Sequence, residues 1–430
     1  MFRRALECDP DYWGASYNLS VLLKNIRKLD EGENRALHAE NQAAVRAGVC
    51  QSRQSAVAKG GGNITDALDS FRYAVELDPD CLIAHSNLSY ALTFISESGL
   101  EVLEESRRFA AHFEAPLAAE PVKYRNELTG ARRLRIGYVS PDFRNHCQAL
   151  FMLPLLRNHD REQVEVYCYS SVETPDDVTQ EIMRHVDVWR PVHGQTDEVL
   201  AAQIMDDRID VLVDLTMHMA NARPLLFARR PAPVQVAWLA YPGTTGSSAI
   251  GYRFTDPWLD PVGSPEADAR YSEKSIRLPD TFCCYHPLVD DIEVSTLPAI
   301  DSGNITFGCL NNPCKLTERT FTLWAEVLRQ VEHSRMILLL GQGQARETVS
   351  AKFADMGVDP VRFTFVDYQM REDYMRTYRK SISCWTPTRT TAIRRASMRC
   401  GWACPSYRAL AIRLRHARGF RCYRTSGSRS

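Results

Sequence analysis

No stretch of the 430-residue chain reaches the roughly 18 uninterrupted apolar residues of a membrane span. The opening Met1-Phe2-Arg3-Arg4-Ala5-Leu6-Glu7 is amphipathic and lacks the apolar core of a signal peptide. These absences predict a cytoplasmic protein. The 13 cysteines include no CxxC pair and are scattered through a long chain, so they are expected to be reduced thiols. Cys400, Cys404, His416 and Cys422 do not have the spacing of a zinc site, and no metal is expected. An excess of one charge is also missing: 52 Lys and Arg stand against 53 Asp and Glu. That balance argues against a nucleic-acid or membrane-surface specialist, and 44% hydrophobic residues exclude a disordered chain. The balance is not uniform. From Ser381 to Ser430 there is no Lys, Asp or Glu but 11 Arg, leaving the first 380 residues with 41 basic and 53 acidic side chains, a net of −12. The basic tail matches no nucleic-acid-binding module.

What is present begins with a repeat. Phe2–Pro10 (FRRALECDP) returns as Phe71–Pro79 (FRYAVELDP), and the Tyr17-Asn18-Leu19-Ser20 run returns as Ser86-Asn87-Leu88-Ser89. The two prolines lie 69 residues apart, close to twice the roughly 34-residue tetratricopeptide period. Each unit is an amphipathic helix, a stop at Asp-Pro where proline cannot continue the helix, and a second helix. Stacked units of this kind leave a concave groove that holds protein segments. The unit between them is missing: residues 34 to 62 are Ala-, Gln-, Ser- and Arg-rich without helical period. They are either a linker or a patch read out of frame. With permitted codons shifted by one nucleotide, the bases from Asn41 onward can spell KIKPQYAQAYVNLGSLLSQKEA, a tetratricopeptide unit in phase with Pro10 and Asn18.

From Leu134 short apolar strands alternate with helical stretches: Leu134–Val139, Val164–Tyr169 and Ile209–Leu215. This order predicts a parallel, doubly wound sheet, whose ligands gather at the carboxyl ends of the strands. The residues there are polar, Ser140–His146 after the first strand and Thr216–His218 after the third. A second unit opens at Ile305–Lys315, continues through a helix around Trp324 and reaches the strand Met336–Leu340. Gly341-Gln342-Gly343 lacks the third glycine of a dinucleotide fingerprint.

LRIGYVSPDFRNH (Leu134–His146), VLVDLTMH (Val211–His218), FARRPAPVQVAWLAYPGTTG (Phe227–Gly246) and FGCLNNPCKLT (Phe307–Thr317) carry a family resemblance. They resemble the catalytic region of bacterial, SPINDLY-like protein O-GlcNAc transferases, in which tetratricopeptide repeats precede that region. The resemblance implies an α/β fold with an N-terminal all-α repeat: tetratricopeptide helix pairs over 1–120, then a two-domain GT-B glycosyltransferase. Its first catalytic domain would occupy 131–295, and a truncated nucleotide-binding domain 303–380. It also implies inverting, metal-independent transfer of N-acetylglucosamine from UDP-GlcNAc to Ser or Thr of acceptor proteins held along the repeat groove. No cofactor beyond the sugar nucleotide is expected, and GDP-fucose is the alternative donor. His146 matches a base or sugar-contact position, Lys315 the lysine on the UDP phosphates, and Asn312 a nearby amide. Tyr241, Pro242, Gly243, Thr244 and Thr245 match a turn whose backbone N–H groups would approach donor or acceptor. Arg371 and Tyr374 match nucleotide-holding positions, and His218 a histidine common in bacterial members. Nothing in the pattern sets an oligomeric state.

The resemblance stops near Lys380. The family continues with a strand and the segment IDIxLDTxPYNGxTT, where this chain has Ser381-Ile382-Ser383-Cys384-Trp385-Thr386. A one-nucleotide shift forces Leu-Asp out of Cys384, Trp385 and Thr386, because tryptophan has a single codon; permitted codons for Thr390–Pro405 then conceal YNGDTTSIDALWMGVP. Residues 381–430 are therefore expected to be an out-of-frame tail that lacks both the strand and the phosphate-binding helix N-terminus, leaving a poorly active or inactive enzyme or a tetratricopeptide scaffold.

Overall fold

The computed structural model describes residues 64–117, 122–127, 132–289, 296–381 and 383–384. The first half of the repeat, the 34–60 patch, the Cys400 group and the tail beyond Cys384 lie outside the described residues. The chain divides into two compact units, one of them Ser98–Leu288 and the other formed by the residues on either side of it.

Before Ser98 come two packed helices, α1 (Ile64–Leu77) and α2 (Leu82–Leu92). Ala67, Leu68, Phe71 and Ala74 form the buried stripe of α1, at the spacing of one helix face. The helix stops where Asp78-Pro79 follows, and His85 on α2 reaches back to the Pro79 carbonyl at 3.1 Å.

The unit from Ser98 starts with α3 (Leu100–Phe109), which widens into a π-helical turn at Ala110–Glu114. It continues through β1 (Leu134–Ser140), α4 (Ala149–Arg157), β2 (Val164–Ser170), α5 (Asp177–Met183), β3 (Val188–Pro191) and α6 (Asp197–Asp206). It ends with β4 (Val211–Asp214), α7 (Pro224–Ala228), β5 (Val234–Ala237), β6 (Tyr252–Thr255), α8 (Pro265–Asp268) and β7 (Lys274–Arg277). All seven strands are parallel, in the order β3-β2-β1-β4-β5-β6-β7. Strand order reverses between β1 and β4. Tyr138, Met152, Leu153, Leu156, Val166, Cys168 and Val213 form the core on one face of the sheet, as expected of strands covered by helices. Residues from Ser98 pack with this sheet, whereas the sequence reading placed everything to residue 120 with the repeats. The physical reason is α3 itself, whose backbone at Ser106 abuts the turn at Gly246 and whose Phe109 is fully buried against His218.

The other unit carries α9 (Pro298–Ser302), β8 (Thr306–Cys309), α10 (Glu318–Gln330), β9 (Arg335–Leu339), α11 (Gln344–Asp355), β10 (Phe363–Val366), α12 (Arg371–Tyr378) and β11 (Ser383–Cys384). Its parallel sheet runs β10-β9-β8-β11. Thr317 caps α10 by accepting the Thr320 N–H, and Phe321, Trp324, Ala325 and Leu328 turn one face of that helix into the core with Met336, Leu338 and Phe353. One expectation is corrected here. The strand after Lys380 is not wholly lost, since Ser383 and Cys384 pair with Phe307 and Gly308 on β8. Two residues of extended chain pair through backbone hydrogen bonds alone, whatever their side chains.

Candidate active site

In the Ser98–Leu288 unit the polar loops after β1 and β4 stand at the point of strand-order reversal, where open α/β sheets take their ligands. Gln148 ties them together. Its side chain accepts from the Ser140 hydroxyl and donates to the Leu215 carbonyl at 2.5 Å, and it is almost fully buried. Ser140 Oγ in turn accepts the Asp142 N–H at 2.9 Å. Gln148→Leu strands both partners in a dry site, and thermal unfolding is expected to show a loss of about 1–3 kcal/mol; an unchanged melting curve would remove this clamp from the account.

His146 lies at the open end of the β1 loop, with side chain 31% exposed and Nδ1 3.6 Å from Asp142 Oδ2. The Gln148 N–H points at the same Nδ1 from 3.4 Å. Asp142, whose N–H is taken by the Ser140 hydroxyl and whose carboxylate is met by Arg144 at 3.2 Å, places negative charge beside the ring.

His218 is placed differently. It is buried, donates through Nε2 to the Thr245 carbonyl at 3.1 Å, and packs edge-on against Phe109 at 4.8 Å between ring centroids. Burial holds its pKa down at about 4, so the ring is neutral near pH 7. Below it lie three carboxyl groups. Glu273 accepts the Thr244 hydroxyl at 2.8 Å, the Thr245 N–H at 2.6 Å and the Thr245 hydroxyl. Glu114, on the π-helical turn of α3, accepts the Ser247 hydroxyl, and burial, with Asp214 and Glu273 adding negative charge, raises it to about 7. Burial lifts Asp214 to about 6, although the Thr216 and Met217 N–H groups at 2.8 and 3.1 Å oppose the shift.

The Tyr241–Gly246 turn was expected to offer backbone N–H groups to a ligand. The structure turns much of it inward. The Thr245 N–H is taken by Glu273, the Gly246 N–H by Thr244 Oγ1 at 3.2 Å and the Gly243 N–H by the Tyr241 carbonyl at 2.9 Å. Thr244, Thr245 and Tyr241 are buried, while Pro242 and Gly243 keep partial exposure. A buried carboxylate under the turn satisfies those groups more cheaply than solvent could, so the turn is a support for the His218 loop.

In the other unit the β8 exit loop stands where strand order again reverses, between β8 and β11. Asn312 caps a short 3-10 turn, Pro313–Lys315, by accepting the Cys314 N–H at 3.2 Å, so its amide oxygen is engaged locally. Lys315 ends this turn, partly exposed, beside Cys309 and Cys314. Burial raises both thiols, Cys314 to about 12, so they stay neutral near the ammonium. Tyr374 reaches the same loop from α12, its hydroxyl 3.3 Å from the Leu310 carbonyl and 2.9 Å from the Tyr378 hydroxyl. Arg371 opens α12, partly exposed. Arg346 was not foreseen; its guanidinium closes the Leu340 and Gly341 carbonyls after β9, and Gly343 only precedes α11. Gln148, Glu114 and Glu273 were likewise missed, because each acts on a partner distant in sequence or on the opposite side of a turn.

Two parallel, doubly wound sheets, each with polar side chains on the loops at its reversal point, define an α/β glycosyltransferase fold. Residues 114–289 match the profile of glycosyl transferase family 41. A Petunia hybrida protein named probable UDP-N-acetylglucosamine–peptide N-acetylglucosaminyltransferase SPINDLY is 34% identical over 312 residues, 71% of this chain and 33% of its own length. The Arabidopsis thaliana protein of that name is 35% identical over 267 residues, 61% of this chain and 29% of its own. A solved mutant of the Thermobaculum terrenum O-GlcNAc transferase superposes with a TM-score of 0.79 at 29% identity, covering 89% of this chain and 73% of that one. The chain spans about a third of the length of the curated relatives it matches. It is similar to SPINDLY and O-GlcNAc transferases, and its residues 114–289 carry the match to glycosyl transferase family 41.

Proposed function

We propose that the chain is built as a protein O-linked N-acetylglucosaminyltransferase that moves GlcNAc from UDP-GlcNAc to Ser or Thr of acceptor proteins in the cytoplasm, with inversion. The observation that carries this reading is the similarity, across 89% of the chain, to a solved O-GlcNAc transferase, with His146 and Lys315 on the reversal-point loops of its two sheets. The reaction breaks the bond between the sugar C1 and the diphosphate oxygen while the acceptor hydroxyl attacks C1 and loses its proton. In this reading His146 takes or holds that proton, and the nearby Asp142 carboxylate offsets the imidazolium charge. Lys315 offsets charge developing on the leaving diphosphate. Asn312, Arg371 and Tyr374 shape the loop that receives the nucleotide. His218 and the Tyr241–Thr245 turn support the loops of the Ser98–Leu288 unit.

The α1–α2 pair is one tetratricopeptide unit in this reading, and the repeat groove presents the acceptor. The 34–60 patch and the segment from 381 are out of frame, so turnover is impaired. The support for the second shift is the forced Leu-Asp across Cys384–Thr386, together with the entry of Ser383 and Cys384 into the sheet beside β8. Among the described residues no helix is long and apolar enough to cross a membrane.

Calorimetric titration tests the donor reading. UDP is expected to bind, GDP to bind more weakly, and Lys315→Met to weaken UDP by about tenfold, as loss of a charge-assisted contact does. Absence of UDP binding leaves the tetratricopeptide scaffold reading. Turnover of UDP-GlcNAc at family-like rates would overturn the claim of impairment, and resequencing that shows an unbroken frame would overturn the frameshifts.

A further inference from the structure

The sheet of the Ser98–Leu288 unit has a second polar edge, at the amino ends of its strands, which the transferase reading leaves without a role. Residues 122–127 cross it as a strap. Ahead of β5 the Tyr124 hydroxyl donates to the Arg230 carbonyl at 3.0 Å. Ahead of β4 the Asn126 amide donates to the Arg208 and Ile209 carbonyls at 3.0 and 3.1 Å and to Asp210 at 2.7 Å. Side chains alone pin this strap. Among the described residues no N–H from Lys123 to Glu127 finds an acceptor, and no carbonyl from Val122 to Asn126 finds a donor. A chain held in this way keeps its main chain open to pairing from outside, as a sheet edge does.

The strap is also flanked by unmatched positive charge. Lys123, Arg125 and Arg208 are exposed and Arg230 is half-buried, and none of the four has a carboxylate partner among the described residues. Burial raises the Tyr124 phenol, while the Arg230 guanidinium beside it pulls the other way. Asp207 and Asp210 are already taken, by Arg190 at 2.6 Å and Arg132 at 2.7 Å, which leaves Asp206 and Glu127 as the remaining acids. Arg208 and Arg230 have φ +52° and +50°, each at the left-handed position that ends α6 or α7 and that glycine fills most cheaply. Their carbonyls are the ones the strap takes.

We propose that the strap and its four cations form a docking site for an acidic segment of a partner polypeptide, at the end of the sheet opposite His146. The open N–H and C=O groups select a polypeptide, whose main chain supplies both complements; a phosphodiester has no donor for the strap carbonyls. The cations select carboxylate side chains on that segment. This site stands whether or not the chain turns over a sugar nucleotide.

The test uses the full chain and two fluorescein-labelled decapeptides, one of alternating Glu and Val and one of alternating Lys and Val, read by anisotropy. The Glu-Val peptide is expected to bind and the Lys-Val peptide to fail. Arg208→Gly with Arg230→Gly removes two cations where the backbone favours glycine, so the fold is kept; it should weaken the Glu-Val peptide by about fivefold. Lys123→Glu with Arg125→Glu, both exposed, should weaken it by about tenfold or more and admit the Lys-Val peptide. UDP affinity should be unchanged in both variants. Glu-Val binding unaltered by either pair assigns that binding to the Arg-rich residues 381–430 and overturns the site, as does a wild type that does not bind the peptide. An equal loss, in the same variants, of binding to decathymidylate or to phosphatidylserine vesicles shows a general polyanion surface and overturns the polypeptide as its occupant.

Discussion

Gly246→Ala is expected to lower the stability of the Ser98–Leu288 unit by about 4 kcal/mol or more, a melting shift of roughly 10 °C. The residue has φ +71°, in the left-handed region that costs other residues about 1–2 kcal/mol. That term is the smaller one. A Cβ at this position would lie 2.2 Å from the carbonyl carbon of Ser106 and 2.4 Å from its oxygen, and neither can move without shifting α3. Displacing α3 withdraws Phe109 from His218 and Glu114 from Ser247. Gly194→Ala supplies the control: its φ is +75°, but nothing lies within 4 Å of the added methyl. It should cost only the backbone term. Differential scanning of the two variants separates strain from collision, and equal shifts would show that the close approach of α3 to the turn carries no weight.

How much of this was legible in the sequence depends on the range of the interaction. β1, β2, β4, β8 and β9 were readable because buried parallel strands are continuous apolar runs, and the loops after β1 and β8 follow directly from that alternation. The same alternation put His146 and Lys315 on those loops. β6 and β7 were not readable, since Tyr252–Thr255 and Lys274–Arg277 are short and carry charged residues. Arg253 is tolerated in the sheet only because Asp260 takes its guanidinium in two hydrogen bonds at 2.7 and 2.9 Å, a pairing that no local pattern announces. The Gly-Thr-Thr-Gly turn showed its glycines but not their purpose. Glycine admits close approach by anything, and here the neighbour at Gly246 is a helix of the same unit. Glu273, which decides where Thr244 and Thr245 point, sits some 28 residues on, in a segment with no motif of its own.

Glu114 and His218 should give the unit two opposed pH dependences that substitution can separate. Glu114 titrates near 7 when folded and near 4.5 when unfolded. The unfolded chain therefore binds fewer protons between those values, so the Glu114 contribution is complete below about 4.5 and is lost as pH rises to 7. The shift corresponds to about 3 kcal/mol. His218 has the opposite sign. Its folded value of about 4 lies below the unfolded 6.5, so the unfolded chain binds more protons across that window and stability falls as pH drops from 6.5 to 4. Asp214, raised to about 6, acts in the same direction as Glu114, and the Coulombic repulsion from Glu273 helps raise both carboxyls. In the wild type the His218 term masks much of the carboxylate term between pH 4.5 and 6.5. Glu114→Gln keeps the shape of the protonated acid and can still bond Ser247, so relative to wild type it should gain about 3 kcal/mol between pH 4.5 and pH 8. His218→Gln should move the other way, gaining relative to wild type as pH falls toward 4. Urea unfolding of the three proteins at pH 4, 5.5, 7 and 8 measures these differences. Parallel curves for all three would show that neither group titrates differently in the folded and unfolded chains.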